Sequence, residues 1–113
     1  MSHHDNTACL LDIKQAALSI ASFIEGMDEV AFYTDKKTQA AVQHQIMIIG
    51  EAAKRLSRNF RDENAHIPWG AIARMRDRLI HGYSTVDMGV VWTTAAEGIP
   101  DLLKAIEACH IPE

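Results

Sequence analysis

Apolar residues in the middle of the chain recur with the period of a helix. From about Lys36 to Phe60 they occur at steps of three or four residues: Val42, Ile46, Ile49, Ala53, Leu56 and Phe60. This spacing puts them on one face, so the segment is predicted to form one long helix. Gly50 within it marks a close approach of another helix, since glycine there costs about 1 kcal/mol relative to alanine. No segment alternates with period two for long enough to predict a strand, so the fold class predicted is all-α.

A first helix precedes this one. Apolar residues with helical spacing extend from Leu10 to Ile24, and Gly26 stands where such a helix would stop. The acidic segment from Met27 to Asp35 has no clear period and is either a loop or a short helical turn. Asp35 is a candidate cap for the long helix. After that helix, Asp62 to His66 form a polar interruption.

Two further helices are predicted beyond the interruption. The third starts around Pro68, which suits a first helical turn because its nitrogen has no hydrogen to bond, and it runs to about Ile80. The fourth reaches Cys109 and is expected to bend about one turn before Pro100. Its candidate caps are Ser84, Thr85 and Asp87. The chain is therefore predicted to be one domain over residues 1–113, an up-and-down four-helix bundle with its last helix kinked near Pro100.

The size and composition of the chain exclude several classes of protein. With 113 residues it can bury one core, so a deep site must lie on the surface or between subunits. Two cysteines near opposite ends lack the spacing of a zinc site. No apolar stretch approaches the length of a membrane span, and the polar N-terminal residues do not form a signal peptide. A cytoplasmic protein without a membrane association is expected.

The charge is unevenly distributed. The net charge of −4 argues at first against binding of nucleic acid. Residues 54–78, however, hold seven basic and three acidic residues, a net charge of +4, while the rest of the chain carries −8. All six arginines lie in this segment, and guanidinium groups bind phosphate in a bidentate manner. Two interpretations stay open: a nucleic-acid surface, or a solvated helix face paired with nearby carboxylates such as Asp62, Glu63 and Asp77.

One string inside the basic segment carries candidate chemistry. It reads Arg76-Asp77-Arg78-Leu79-Ile80-His81-Gly82-Tyr83. A histidine exchanges a proton near neutral pH, and an arginine holds a phosphate and neutralises charge that develops on phosphorus. This pair suits RNA cleavage without a metal, in which a base activates the 2'-hydroxyl and an acid protonates the departing 5'-oxygen.

Helical geometry limits how these two residues can work together. A five-residue step turns by about 140°, so Arg76 and His81 do not share a face of a regular helix, whereas Arg74 and His81 do. A single histidine also cannot be acid and base at one moment. A two-fold dimer that brings two copies of both residues into one cleft meets this difficulty, so an active site at a dimer interface is predicted.

The chain resembles a known family at this point. The Arg-x4-His-x-Tyr string and the block Ile49-Gly50-Glu51-Ala52-Ala53-Lys54-Arg55-Leu56 are similar to those of HepT-like toxins of the HEPN superfamily. The resemblance implies a homodimeric, metal-independent endoribonuclease without a cofactor, encoded beside a nucleotidyltransferase antitoxin. It implies that Arg76 and His81 are the catalytic pair. It also implies that the antitoxin modifies Tyr83 with AMP, which would repel RNA from the site.

Other residues are assigned supporting roles. Asp77 departs from the family, in which this position is polar and often asparagine. An anion there could raise the pKa of His81 or orient its ring, and it could equally weaken RNA binding. Glu51 either pairs with Arg76 or His81 or is simply an exposed helical glutamate. RNA binding is assigned to four further arginines: Arg55, Arg58, Arg74 and Arg78.

Two alternatives are weighed against the nuclease. Glu63 and His66 match one Glu-x-x-His fragment of a di-iron bundle, but a second copy and the companion glutamates are missing, so no metal site is predicted. The stronger rival is a catalytically silent bundle that serves as the binding subunit of a nucleotidyltransferase complex.

Overall fold

A computed structural model describes residues 5–82 and 85–109 of the chain. In this part of the chain the regular structure is helical and no strand occurs, which confirms the all-α fold class. The helices, numbered in chain order, are α1 Asn6–Phe23, α2 Glu29–Tyr33, α3 Lys36–Arg55, α4 Arg58–Glu63, α5 Trp69–His81, α6 Met88–Thr93 and α7 Ile99–Glu107.

Side-chain caps fix where several helices begin. The capping side chain accepts a hydrogen bond from a backbone N–H of the first turn, which would otherwise lack a partner. The capping residues are Asp5, Asp28, Asp35, Ser57 and Asp87. Asp35 was the candidate cap for α3, and Asp87 is the one of the three candidates for the last helix that caps it; Ser84 lies outside the described residues. Helix α5 begins directly after Pro68.

The core lies between α1, α3 and the last helix. Each contributes the apolar face expected from its period, and burial of these faces is the main favourable term in folding. The buried side chains include Leu10, Ile13 and Ile20 of α1, Val42, Ile46 and Ile49 of α3, and Leu102 and Ile106 of α7. Phe32 of α2 packs against Trp92 of α6 with the ring centroids 5.4 Å apart.

The prediction of one long helix from Lys36 to Phe60 is wrong at its C-terminal end, because α3 stops at Arg55. Leu56 has an extended backbone, and Ser57 begins α4 by accepting a hydrogen bond from the N–H of Phe60 at 3.1 Å. The side chain of Asn6 stabilises the break: its amide oxygen accepts from the N–H of Ser57 at 2.9 Å, and its amide nitrogen donates to the Ser57 hydroxyl at 3.1 Å.

Two short helices lie where loops or interruptions were expected. Of the two readings offered for residues 27–35, the helical one is correct, since α2 forms there. The polar interruption beginning at Asp62 is partly helical, because α4 continues to Glu63. Four longer helical segments, with α6 and α7 counted together, thus form the bundle, and α2 and α4 are short additions to it.

The last helix is distorted just before Pro100, as the sequence predicted. Residues Thr94–Gly98 between α6 and α7 have π-type hydrogen bonding, and the N–H of Ile99 donates to the carbonyl of Thr94, five residues earlier. The proline ring would clash with the carbonyl four residues before it in a regular α-helix. The wider turn of a π segment relieves this clash.

No helix within residues 5–82 and 85–109 combines the length and the apolar character needed to cross a membrane.

Candidate active site

Gly50 of α3 and Arg76 of α5 mark the point where these two helices come closest. A Cβ placed on Gly50 would overlap Cβ of Arg76 and would lie 2.8 Å from its Cγ and 3.3 Å from the carbonyl oxygen of Ile72. Gly50 is buried. The absence of a side chain there lets the stem of Arg76 rest on the backbone of α3, which is the close approach predicted for this glycine.

Two carboxylates hold the guanidinium of Arg76. Its Nη2 lies 2.9 Å from Oε2 of Glu51, and its Nη1 donates to Oδ1 of Asp77 at 3.1 Å. The Arg76 side chain is 22% exposed, against 50% for Glu51. Of the interpretations left open for Glu51, the pairing with Arg76 is therefore the one that the geometry supports. The guanidinium is held in one orientation at the surface.

Lys54 is a further member of this cluster, and sequence reasoning missed it. Its Nζ lies 3.3 Å from the same Asp77 oxygen that accepts from Arg76. Hydrogen bonds from Arg76 and then from Lys54 lower the pKa of Asp77 below its ordinary value. Lys54 is one turn beyond Gly50 and Glu51 on α3. Nothing in the sequence predicts that it pairs with Asp77, which lies 23 positions later, because the two residues meet only where α3 crosses α5.

His81 is the last residue of α5 and is exposed. It opens onto a surface groove with a volume of about 750 Å³, here called the His81 groove. The residues lining it include Arg74, Asp77, Arg78, His81, Val86, Asp87 and Val90. The prediction that Arg74 and His81 share a face is confirmed, because both line this groove. The groove thus places a proton-transfer group among two guanidinium and two carboxylate groups.

Arg76 lies outside the His81 groove. It lines a smaller depression of about 320 Å³ together with Glu51, Arg55, His44 and Ile80. The two candidate catalytic residues thus face different surfaces of the chain, as the five-residue step predicts. Asp77 connects the two surfaces, since it lines the His81 groove and accepts a hydrogen bond from Arg76.

The four arginines assigned to RNA binding are not brought together. Arg74 and Arg78 line the His81 groove. Arg55 lies on the side of Arg76 and forms an ion pair with Asp12 at 3.4 Å, and Arg58 lines a third pocket at the junction of α4 and α5. Tyr83, the predicted modification site, lies outside the described residues.

The carboxylates that pair with the basic segment differ in part from those expected. Within the described ranges, Asp77 pairs with Arg76 and Lys54 as the solvated-face interpretation proposed. Arg76 also pairs with Glu51, and Arg55 pairs with Asp12. Arg74 and Arg78 have no ion pair with any described residue. Arg76 is therefore held in ion pairs, whereas Arg74 and Arg78 are not, although Asp77 and Asp87 line the same groove.

The fragment that resembled a di-iron motif does not form a cluster. Glu63 ends α4, and His66 is exposed in the turn that follows. Nowhere in the described part of the chain do three histidine, cysteine or acidic side chains gather as a metal site would require.

Comparison with known proteins gives the family of the chain. The sequence model of a family described as "Ribonuclease HepT-like" matches residues 13–109. A protein of Thermococcus cleftensis named "Probable ribonuclease HepT" is 45% identical over 106 residues, which cover 94% of both chains. A protein of Methanocaldococcus jannaschii named as a putative RNase is 36% identical over 95% of this chain and 88% of its own length.

A third relative, from Caldanaerobacter subterraneus subsp. tengcongensis and also named as a putative RNase, is 37% identical over 74% of this chain and 75% of its own. No solved structure matches the chain. The family match and these relatives confirm the resemblance that the two sequence motifs indicated, and the chain belongs to the HepT-like ribonuclease family.

Proposed function

We propose that this chain is the toxin of a HepT-type toxin–antitoxin pair, a metal-independent endoribonuclease that uses Arg76 and His81. The observation that carries the proposal is the His81 groove, whose lining combines an exposed imidazole with two arginines that have no ion pair with a described residue. Guanidinium groups without an ion pair attract the RNA backbone, and the imidazole supplies the proton transfer. The family and the named relatives give the same reaction class.

The proposed reaction needs a base, an acid and a cation. One imidazole takes the proton of the 2'-hydroxyl, and the 2'-oxygen attacks phosphorus. The bond from phosphorus to the 5'-oxygen breaks, and a second imidazole gives that oxygen a proton, which leaves a cyclic phosphate and a free 5'-hydroxyl. The guanidinium of Arg76 stabilises the charge that builds up on the phosphoryl oxygens. Because Glu51 and Asp77 hold this guanidinium in place, little reorganisation is needed when the substrate arrives.

A homodimer would supply the second histidine. Arg76 and His81 face different surfaces of one chain, so a cleft that contains both requires a second copy. The two-fold symmetry of a dimer would also bring two imidazoles together as acid and base. This is the arrangement that the sequence predicted, and the geometry of the single chain supports it.

An apolar groove next to the His81 groove is the surface we assign to the dimer. It has a volume of about 700 Å³ and includes Ile46, Ile49, Ile72, Ala71, Ile99 and Leu102 among the residues that line it. Arg74, Met75 and Arg78 line both this groove and the His81 groove, so the two are continuous. A copy that covers the apolar groove would therefore lie directly beside His81.

Regulation would act next to His81 in the sequence. Tyr83 follows His81 by two residues, and we propose that a nucleotidyltransferase antitoxin attaches AMP to it. An added phosphate would attract guanidinium groups and repel the RNA backbone. Modification would then block the site without unfolding it.

The experiment that tests the nuclease compares purified wild-type protein with His81→Ala in the cleavage of total RNA. We expect the substitution to abolish cleavage and toxicity while the dimer and the binding of the partner persist. Lys14→Ala, at an exposed position of α1, is the control and should cleave normally. Unchanged toxicity of His81→Ala would overturn the proposal in favour of the catalytically silent binding subunit.

A further inference from the structure

A third pocket, at the junction of α4 and α5, has no part in the proposed reaction. Its volume is about 510 Å³, and its walls include Arg58, Arg61, Asp62, Trp69 and Gly70. We call it the Arg61 pocket. It lies at the opposite end of α5 from His81. Gly70 in its wall precedes His81 by eleven residues, which corresponds to about 16 Å along the helix.

The pocket carries guanidinium groups that the protein does not neutralise. Arg58 and Arg61 are three residues apart on α4, so they lie one above the other, and neither forms an ion pair with a described residue. Nε of Arg61 is buried and has no hydrogen-bond partner. Asp62 is a carboxylate in the wall, which leaves the two arginines in excess by one charge. The planar fork of a guanidinium matches the oxygen atoms of a phosphate.

Gly70 extends this surface toward His81. A Cβ on Gly70 would lie 3.2 Å from Nη1 of Arg74, so the guanidinium of Arg74 rests over the backbone at the wall of the Arg61 pocket. Arg78 follows one turn later, and His81 follows three residues after it. These positions are separated by four, four and three residues and share one face of α5. Guanidinium groups therefore form a continuous row from the Arg61 pocket to the His81 groove.

The aromatic side chain in the pocket is not arranged to stack on a base. Trp69 is only 7% exposed, its ring packs against Phe60 with centroids 6.3 Å apart, and its Nε1 donates to the carbonyl oxygen of Asn64. A protein that binds single-stranded nucleic acid through its bases presents free aromatic faces. The Arg61 pocket presents two guanidinium groups, one carboxylate and no free aromatic face, so its chemistry favours a backbone phosphate over a base.

We propose that the Arg61 pocket binds a phosphate of the RNA substrate several nucleotides from the one that is cut, with Arg61 and Arg58 as its ligands. Arg74 and Arg78 are exposed and lie where the apolar groove meets the His81 groove, so they guide the intervening backbone past the edge of the second copy to His81. This subsite rests on the proposed ribonuclease function and adds a length requirement to it. Substrates too short to reach the pocket lose the anchor, whatever their base sequence.

The test measures binding to labelled single-stranded RNA in the His81→Ala background, in which cleavage does not consume the probe. One probe is long enough to span α5, and the other is a trinucleotide. Arg58→Met, at an exposed position, and Arg61→Met should weaken binding of the long probe about five- to tenfold. Each should also reduce the slope of log affinity against log salt by about 0.7. Binding of the trinucleotide should not change.

Lys14→Met on α1 is the charge-matched control, and circular dichroism confirms that each variant is folded. If both arginine variants bind the long probe as the parent does, or if they lose the same factor with both probes, the subsite is overturned. Cleavage by the wild-type chain is assayed separately. A wild-type protein that does not cut RNA refutes the ribonuclease, whereas length-independent binding by an active enzyme refutes only the subsite.

Discussion

Gly50 and Arg76 interlock where α3 crosses α5, because the side chain of the arginine fills the space that a Cβ on the glycine would occupy. Arg76 is part of the string that identifies the family, and Gly50 belongs to the second block of the resemblance. The two motifs thus describe one contact from its two sides. The contact fixes the position of α3 along α5. Glu51 of α3 therefore lies beside Arg76 of α5, and Lys54 lies beside Asp77.

Gly50→Ala should therefore destabilise the protein and displace Arg76. Overpacking typically costs about 1–3 kcal/mol, and the gain in helix propensity of about 1 kcal/mol offsets only part of it. We expect a lower midpoint of thermal unfolding together with a loss of cleavage activity. Differential scanning calorimetry and an RNA cleavage assay measure the two effects.

Gly98→Ala is the matched control for this substitution. A Cβ at Gly98 would meet only Cγ2 of Thr94, at an ordinary contact distance of 3.9 Å. The exposed position should tolerate alanine with unchanged or slightly raised stability. If Gly50→Ala behaved like Gly98→Ala, the crossing would be looser than the interlocked contact requires.

The fold could be predicted from the sequence wherever the apolar period had a single interpretation. The prediction failed between Ala53 and Phe60, because the period continues across the break at Leu56. Phe60 is 4% exposed and reaches the core from a separate helix. A signal for the break was present in Ser57, a good capping residue, but its partner Asn6 lies 51 residues earlier and is brought there only by packing.

The candidate site was predictable to the extent that it depends on one helix. Counting residues along α5 correctly separated Arg76 from His81 and grouped Arg74 with His81. The sequence could not assign the partners of these residues across helices. Lys54 meets Asp77 through the crossing at Gly50, and Arg55 meets Asp12 through the packing of α1 on α3.

Asp77→Asn should strengthen RNA binding. The carboxylate lines the His81 groove and faces Arg76 and Lys54, so it opposes the approach of a phosphate. Asparagine keeps an acceptor for Arg76 but removes the charge. We expect KM for RNA cleavage to fall by about two- to fivefold at low salt, and the difference to shrink at high salt because exposed charges are screened.

The comparison for this variant is Glu25→Gln, which removes an exposed carboxylate that lines neither the His81 groove nor the depression around Arg76. Its effect on KM should be smaller. A rise in KM for Asp77→Asn would indicate that the carboxylate holds Arg76 in a position that asparagine cannot maintain, and it would contradict the predicted repulsion.

Asp35→Ala should destabilise α3 in a manner that depends on pH. The backbone N–H of Thr38 and then its hydroxyl donate hydrogen bonds to the Asp35 carboxylate and lower its pKa. A group with a lowered folded-state pKa stabilises the protein above its unfolded pKa of about 3.9, and this contribution disappears as pH falls through the folded value. The difference in unfolding midpoint between wild type and variant should be largest near pH 7 and should decrease below about pH 4.

Urea unfolding of both proteins across this range measures the effect, with Glu25→Ala, at an exposed position, as the control. A difference that grew as the pH fell would contradict the cap as the source of the stabilisation.

Ala71→Gln should separate dimer formation from folding. Ala71 is exposed in the single chain and lines the apolar groove that we assign to the dimer, so a long polar side chain there would obstruct a second copy. A misfit of about 1–3 kcal/mol would weaken the dimer roughly tenfold to a hundredfold. Light scattering should show a shift toward the monomer, and cleavage should fall in parallel because a monomer supplies one imidazole where the proposed reaction uses two. Ala21→Gln, exposed on α1, should leave both unchanged. A monomeric Ala71→Gln protein with full activity would show that one chain suffices for catalysis.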